Sequence, residues 1–315
     1  MQALAAEAGR ILITGANGHL GRRLIRKLAA GPGAARPVRA VVRSERAARA
    51  LQEGPEMPGV EISVLDYGDV DALSRAAVGC EVAVHLVGII KEGNRSRYAE
   101  AHEATSDALS RAATSAGMRR VVYLSITGSD PNSTNACLAS KGRAERILLD
   151  GAAPALILRV PMVLGPDDFA SRALRAQARA RFVPLLRGGA GREQPIDADD
   201  VISAILSGIE RPGLDDVAFD LAGPESLSRR ALLERTAALY GNRPTVIPIP
   251  LVLELAAAFL LETFLPDPPL TRAMVGVLDH DDVVDAEETC ERLGVRLTPL
   301  EHTLRRCVGP QEAAA

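Results

Sequence analysis

Three glycines near the start of the chain have the spacing of a phosphate-binding turn. Gly15, Gly18 and Gly21 follow an apolar run at 11–13 and overlap a helical apolar pattern that begins at Leu20. In a strand–turn–helix unit, the first glycine permits the turn and the second lets the backbone approach the phosphates. The third lets the helix pack closely on its strand. Because the free N–H groups and the positive dipole end of that helix face the anion, the pattern predicts a dinucleotide pyrophosphate site.

Two further residues of the turn, Asn17 and His19, complete the predicted phosphate site. Asn17 lies between the first two glycines, and His19 follows the second. We expect both to lie beside the phosphates, although His19 is equally compatible with a solvent-facing position.

The end of the second predicted strand is basic. Arg43 closes this strand and Arg46 follows closely. An NAD site usually carries Asp or Glu here to bind the ribose hydroxyls, whereas a guanidinium suits a 2′-phosphate. We therefore expect NADP(H) in preference to NAD(H); the alternative is that both arginines merely begin a solvated helix. Asp66, after the third strand, either accepts a hydrogen bond from the adenine amino group or caps the next turn.

These residues need a framework of alternating strands and helices. Strand patterns occur at 38–43, 60–65, 82–87, 120–125 and 155–160, and helical patterns between them at 69–77, 98–116 and 139–149. Such alternation indicates a parallel sheet covered on both faces. We predict an α/β fold, a Rossmann doubly wound parallel sheet, over residues 1–165 with a return segment at 196–222. Residues 166–195 and 223–315 should form a smaller, mostly helical C-terminal lobe.

The composition excludes several classes of function. Of 315 residues, 47% are apolar and 24% are charged, which is ordinary for a globular protein. The net charge of −3, the aromatic content of 3% and the absence of Trp argue against a nucleic-acid partner. The four cysteines have no close pair, so we expect neither a disulfide framework nor a metal site.

One apolar stretch has two interpretations. The segment from Leu251 to Leu265 is charged only at Glu254 and Glu262 and is too short to span a bilayer. A helix that is apolar nearly all round is normally a core helix, which is the favoured interpretation. Otherwise it docks on a partner, such as a membrane-bound protein complex, or lies at a membrane interface, although it lacks a basic polar face.

The start of the chain bears on localisation. Residues 1–10 have neither the basic start nor the long apolar segment of a signal peptide. No apolar run reaches the length of a transmembrane helix. We expect a cytoplasmic protein, or one peripheral on the inner face of the membrane.

The glycine turn, the basic end of strand two, Asp66 and the stretch His85-Leu86-Val87-Gly88 together resemble the short-chain dehydrogenase/reductase superfamily in its extended and atypical branches. The likeness continues at 158–166 and 194–201. It implies that Val87, Gly88, Pro161 and Val163 lie along the cofactor. Within the superfamily, the chain is most similar to the Rossmann-type accessory subunit of respiratory complex I and its bacterial relatives. The stretches 85–90, 124–130 and 268–301, together with His102, carry this second likeness.

The chain departs from this superfamily at the proton donor. Active members carry Tyr-x-x-x-Lys, in which Tyr transfers the proton and Lys lowers its pKa and holds the ribose. Here Lys141 occupies the Lys position and Cys137 replaces the Tyr. A thiol is shorter by a whole ring, and the thiolate that Lys141 could favour cannot act as an acid. No tyrosine is close in sequence, since Tyr98 begins the preceding predicted helix and Tyr123 lies inside a strand.

Two hydroxyls stand near the place of the superfamily's helper hydroxyl. These are Ser125 and Thr127, which we retain with Lys141 as candidate catalytic residues. The alternative is that both form hydrogen bonds within the loop after their strand.

The resemblance and the departure leave three functions open. The first is an NADP(H)-binding protein, non-catalytic or weakly catalytic, that serves as an accessory or assembly subunit of a redox or respiratory complex. The second is an NADPH-dependent reductase, or a nucleotide-sugar epimerase or dehydratase, with a non-standard proton donor. The third is a regulator that senses NADPH.

Overall fold

The structure is a computed structural model that describes residues 9–30, 36–53, 57–94 and 96–310. Residues 1–8, which belong to the stretch used to predict the absence of a signal peptide, lie outside this description. In chain order the strands are β1 (Arg10–Thr14), β2 (Val38–Val42), β3 (Val60–Val64), β4 (Cys80–His85), β5 (Arg120–Ile126), β6 (Ala155–Val160), β7 (Val163–Leu164), β8 (Phe182–Leu186), β9 (Arg192–Glu193), β10 (Ile196–Asp197), β11 (Val217–Asp220), β12 (Leu227–Ser228) and β13 (Thr245–Ile249).

The helices alternate with these strands in the first half of the chain and dominate the second. They are α1 (His19–Ala29), α2 (Glu45–Gln52), α3 (Val70–Ala77), α4 (Thr105–Ser115), α5 (Ala136–Leu149), α6 (Phe169–Arg179), α7 (Ala198–Glu210), α8 (Arg229–Ala238), α9 (Leu251–Phe264), α10 (Arg272–Leu278), α11 (Glu287–Leu293) and α12 (Leu300–Cys307). A π-helical turn, Ala99–Ala104, runs directly into α4.

Seven parallel strands form the central sheet, in the order β3-β2-β1-β4-β5-β6-β11. The middle strands are apolar on both faces because helices cover both; Ile11, Leu12 and Ile13 of β1 are fully buried. Strand order reverses at β1, which pairs with β2 on one side and β4 on the other. The carboxyl ends of β1 and β4 therefore border the crevice in which doubly wound sheets bind ligands. The predicted α/β doubly wound fold is confirmed.

Each face of the sheet has its own apolar layer. On one face, α1 and α7 contribute Leu24, Ile25 and Ile205 to the core. On the other, α3, α4 and α5 contribute Leu73, Leu109 and Leu148. Leu174, Leu232 and Leu304 form a third apolar cluster between α6, α8 and α12.

One salt-bridged group joins α12 to the return of the chain into the sheet. Asp197 is almost fully buried and caps α7 by accepting the Asp199 N–H at 2.8 Å. It also accepts the Thr303 hydroxyl of α12 at 2.8 Å and pairs with Arg306. Strand β11 then pairs with β6, as expected of the return segment.

The predicted boundaries differ from the structure mainly near the site. The expected helix at 98–116 begins as a π-helical turn, and α5 begins at Ala136, three residues earlier than predicted. Asn135 caps α5 by accepting the N–H groups of Cys137 and Leu138, so Cys137 lies within the helix. The strand predicted at 82–87 ends at His85, which leaves Val87 and Gly88 in a loop.

The expectation that the segment from Leu251 to Leu265 forms a core helix is wrong. It does form α9, but only Ala258 is buried among the residues of this helix. Val252, Leu253 and Phe264 are 76%, 62% and 76% exposed, and Phe259 and Leu260 are also exposed. These five residues are called the α9 apolar face below. Across the described part of the chain, no helix combines the length and hydropathy needed to cross a membrane.

Candidate functional site

The turn after β1 requires glycine for two physical reasons. Gly15 has a φ of +73°, and a Cβ built on it would lie 3.0 Å from the Leu86 carbonyl group. A Cβ on Gly21 would lie 2.6 Å from the Gly15 and Ala16 carbonyl oxygens, so α1 could not approach so closely. Gly18 precedes α1 and supplies no side-chain cap. The first N–H groups of α1 therefore face the crevice, with Asn17 half-buried and His19 exposed beside them.

Tyr67 supports this turn, although sequence reasoning missed it. Its hydroxyl accepts the Gly15 N–H at 3.1 Å and donates to the Val41 carbonyl at 3.2 Å. The Arg43 guanidinium lies 5.9 Å from the Tyr67 ring centroid. Tyr67 thus links the glycine turn to the end of β2. Its position directly after Asp66, at the end of the third predicted strand, is the sequence signal that could have identified it.

The two arginines flank the start of α2. Ser44 caps this helix by accepting the Ala47 N–H at 3.2 Å, and Arg43 and Arg46 lie exposed on either side of Ser44. Within the described ranges, no carboxylate forms a salt bridge with either arginine. Asp66 is exposed and accepts the Gly68 N–H at 2.9 Å, so it caps its turn, as one of its two interpretations predicted.

At the other end of the crevice, Gly88 lies against the side chain of Lys141. A Cβ on Gly88 would be 3.0 Å from Lys141 Nζ and 3.6 Å from His102 Nε2. Lys141 is buried and donates to the Tyr123 hydroxyl at 3.0 Å and to the Leu124 carbonyl at 3.1 Å. Burial lowers the pKa of Lys141 to about 8. Gly88 therefore lies beside Lys141, and Val87 precedes it in the same loop.

Cys137 lies one helical turn before Lys141 on α5 and is buried. Its thiol points to the Ile89 carbonyl, with Sγ 3.7 Å from the oxygen. Burial raises the pKa of the thiol more than the Lys141 ammonium lowers it. Cys137 is therefore a neutral thiol near neutral pH rather than a thiolate.

Tyr98, although distant from Cys137 in sequence, lies near it in the fold. The Tyr98 hydroxyl donates to the Ile90 carbonyl at 2.7 Å, next to the Ile89 carbonyl to which the Cys137 thiol points. Burial is the main cause that raises the pKa of Tyr98, so its hydroxyl is protonated. The Tyr98 ring also stacks on His102, with centroids 5.6 Å apart. Both histidines near the site, His85 and His102, are neutral because burial lowers the pKa of each to about 3.

The helper hydroxyls have different surroundings. Ser125 is buried and bonded to Glu145 and to Ser129, and Glu145 in turn binds Arg159 through two hydrogen bonds of 2.9 and 2.6 Å. Ser125 is thus part of a hydrogen-bonded network that joins β5, α5 and β6. The Thr127 hydroxyl is buried and has no hydrogen-bond partner among the described residues.

Pro161 and Val163 follow β6 and are half-buried. Val163 pairs with Ile196 in the short ladder between β7 and β10. Both residues therefore lie beyond the carboxyl end of β6, on the side of the sheet where the crevice opens.

These residues fit a dinucleotide bound across the carboxyl ends of the strands. At one end a glycine turn leaves the first N–H groups of α1 without a side-chain cap, and Arg43 and Arg46 are not paired with any carboxylate of the described residues. At the other, Gly88 leaves room beside Lys141, and Thr127 has an unused buried hydroxyl. In the described ranges no group of His, Cys, Asp and Glu could hold a metal ion.

Comparison with known proteins agrees with this geometry. The model of an NAD(P)H-binding family matches residues 15–194, which is more than half of the chain. A ceramide reductase of Caulobacter vibrioides is 29% identical over 245 residues, covering 77% of this chain and 74% of that protein. Subunit 9 of the NADH dehydrogenase 1 alpha subcomplex of Arabidopsis thaliana is 26% identical over 253 residues; the match covers 78% of this chain but 61% of the subunit.

A solved structure has the same fold. It is the NADPH-dependent quinone oxidoreductase of Escherichia coli, with a TM-score of 0.72 at 22% identity, covering 93% of this chain and 98% of that one. The glycine turn, the doubly wound sheet and the matched family model lead to one conclusion: the chain belongs to the NAD(P)H-binding family, within the extended short-chain dehydrogenase/reductase superfamily.

Proposed function

We propose that this chain is an NADP(H)-dependent reductase of a carbonyl group. The observation that carries the proposal is Lys141, buried beside Gly88 at the far end of a crevice that starts at the glycine turn. Burying an ammonium group is unfavourable, so we infer that Lys141 has a role at this end of the crevice, where the resembled superfamily uses its lysine both to hold the ribose and to assist proton transfer. The similar ceramide reductase of Caulobacter vibrioides supports the same proposal.

The residues of the chain divide the binding task between them. The N–H groups at the start of α1 bind the pyrophosphate, and Arg43 with Arg46 binds the 2′-phosphate that distinguishes NADP(H) from NAD(H). Lys141 and the Thr127 hydroxyl face the nicotinamide half of the crevice. When bound, the reduced cofactor would supply a hydride to the substrate carbon. The chain must then supply a proton to the carbonyl oxygen.

The experiment has two steps. The purified protein is denatured and any released nucleotide is identified, and binding of NADPH and NADH is measured by fluorescence titration. NADPH oxidation is then followed with 2-octanone as the ketone. We expect tight NADPH binding and ketone-dependent oxidation. No binding of either nucleotide would contradict the whole proposal, and binding without oxidation of any ketone would favour the second function below.

The second candidate is an accessory or assembly subunit of a membrane-bound redox complex. It is favoured by the α9 apolar face, since large exposed apolar patches mark sites of interaction. It is also favoured by the similar Arabidopsis subunit, whose name places it in a respiratory complex. In this role the bound dinucleotide stabilises the fold, and α9 contacts the complex, which holds the protein peripherally at the membrane.

A genetic experiment tests this second role. The gene is deleted in the organism that encodes it, and assembly of respiratory complexes is followed on native gels. Wild type and a Leu260→Glu/Phe264→Glu variant are then reintroduced. The accessory role predicts an assembly defect that wild type corrects and the variant does not. Normal assembly after deletion would contradict it.

A further inference from the structure

The site contains a tyrosine side chain, that of Tyr98, which does not come from α5. Cys137 holds the position of the superfamily's tyrosine, one helical turn before Lys141. The Tyr98 side chain comes from the segment after β4, and its hydroxyl binds the Ile90 carbonyl while the Cys137 thiol points to the carbonyl of the preceding residue, Ile89. Both side chains are almost fully buried. The two side chains therefore occupy one packed position between α5 and the loop after β4.

We propose that Tyr98 is the proton donor of this protein, in place of a tyrosine at position 137. The proposal rests on the reductase function proposed above. Three contacts carry it: the hydrogen bond from the Tyr98 hydroxyl to the Ile90 carbonyl, the approach of the Cys137 thiol to the adjacent Ile89 carbonyl, and the stacking of Tyr98 on His102. His102 Nε2 would lie 3.6 Å from a Cβ on Gly88, the glycine that faces Lys141. Tyr98 therefore lies next to His102 and Cys137, at the nicotinamide end of the crevice.

When bound, the reduced dinucleotide would supply a hydride, one proton with two electrons, to the substrate carbon, and the C=O π electrons would move to the oxygen. Tyr98 O–H breaks and its proton forms the new O–H bond of the alcohol. The phenolate of Tyr98 then accepts a proton from water. For this step the Tyr98 hydroxyl must release the Ile90 carbonyl. It must then donate to the substrate carbonyl oxygen within hydrogen-bond distance.

The C-terminal lobe packs near Tyr98. Asn135, which caps α5, donates through Nδ2 to the Ala273 carbonyl of α10 at 2.9 Å. The neighbouring α9 is the helix with the exposed apolar face. The probes used below are uncharged eight-carbon carbonyl compounds, which need no charged partner in the site.

The first test is turnover of 2-octanone with NADPH by wild type, Tyr98→Phe and Tyr240→Phe. Tyr240 is the matched control because its hydroxyl also donates to a backbone carbonyl, that of Val308 at 2.6 Å, far along the chain from the site. Loss of a general acid should lower kcat of Tyr98→Phe by about 10²- to 10⁴-fold, with NADPH affinity unchanged. Tyr240→Phe should retain wild-type kcat. Equal kcat in both variants would overturn the assignment.

The second test does not use turnover. Octanamide carries a carbonyl group that NADPH does not reduce, so its Kd for the NADPH complex reports the hydrogen bond to the carbonyl oxygen. Tyr98→Phe should bind octanamide about 2- to 12-fold more weakly than Tyr240→Phe does, which corresponds to one neutral hydrogen bond. Equal affinities, or no binding to wild type, would overturn the Tyr98 assignment. A wild type that binds octanamide through Tyr98 but oxidises no NADPH would contradict the reductase function alone.

Discussion

The proposed preference for NADP(H) over NAD(H) gives Arg43 a specific role that can be tested. Its guanidinium is exposed at the end of β2 and is held near the Tyr67 ring. A hydrogen bond to a charged group contributes about 1.5–3 kcal/mol, so Arg43→Ala should raise the Kd for NADP⁺ by about 10- to 100-fold. The Kd for NAD⁺ should change little, because NAD⁺ has no 2′-phosphate.

Arg49→Ala is the matched control for this prediction. Arg49 is a basic, exposed residue of the same helix, but it lies in the last turn of α2, away from the crevice. Titration calorimetry with both nucleotides measures the four affinities. Equal losses for NADP⁺ and NAD⁺, or a comparable loss in Arg49→Ala, would remove Arg43 from the 2′-phosphate site.

Lys141 should make stability depend on pH in the alkaline range. Its pKa is about 8 in the folded protein because of burial, against 10.5 for an ordinary lysine. Between these values the unfolded chain binds more protons, so the free energy of unfolding rises with pH. The total rise is at most about 3 kcal/mol, at 1.36 kcal/mol per pKa unit.

Lys141→Met is the comparison variant, since it keeps a long side chain without the ionisable group. The difference in unfolding free energy, wild type minus variant, should be flat from pH 6 to 7.5 and increase between pH 8 and 10.5. Urea unfolding at each pH measures it, and taking the difference removes titrations that both proteins share. A flat difference up to pH 10.5 would mean that Lys141 has an ordinary pKa in the folded protein.

The helix α9 is buried at one residue and exposed two residues later. Ala258 is fully buried, whereas Leu260 is 54% exposed. Ala258→Gln should lower the free energy of unfolding by about 2–4 kcal/mol, because it overpacks the contact and buries an amide. Leu260→Gln should change it by less than about 0.5 kcal/mol, as surface substitutions do. Urea unfolding of the pair is sufficient, and similar losses in both would mean that α9 is buried on both sides.

The helix α9 also illustrates what the sequence could not predict. Periodicity found the strands of the sheet because their residues are buried on both faces, and it found the glycine turn because backbone geometry requires glycine there. A helix apolar all round, in contrast, carries no information on which face is covered. Tyr98 was missed for a related reason: its contact with Cys137 joins residues far apart in the chain, through a π-helical turn that shifts the start of α4. Local patterns do not encode such a contact.

The two edges of the central sheet have different roles in the molecule as a whole. The carboxyl ends of the strands border the binding site, and contacts at the amino ends stabilise the fold. The glycine turn, Gly88 and the residues after β6 lie at the carboxyl ends of the strands, which form the binding edge of such sheets. The amino ends are held by buried polar contacts. There Arg120, 3% exposed at the start of β5, donates to the carbonyls of Gly208 and Arg211 at 2.7 and 2.6 Å and pairs with Asp215.

This separation predicts that a mutation at the amino edge changes stability without changing cofactor affinity. Arg120→Met removes charged hydrogen bonds to α7 and should lower the free energy of unfolding by about 2–3 kcal/mol. Arg111→Met, in an exposed salt bridge of α4, should change the free energy of unfolding by less than about 0.5 kcal/mol.

Since the Kd for NADP⁺ stays the same, NADP⁺ at 100 times that Kd should add about 2.7 kcal/mol to the free energy of unfolding of wild type and of both variants. Saturated Arg120→Met should therefore unfold close to the urea midpoint of nucleotide-free wild type. A smaller NADP⁺ effect in Arg120→Met alone would mean that the two edges of the sheet are energetically coupled, since distant, independent sites contribute additively.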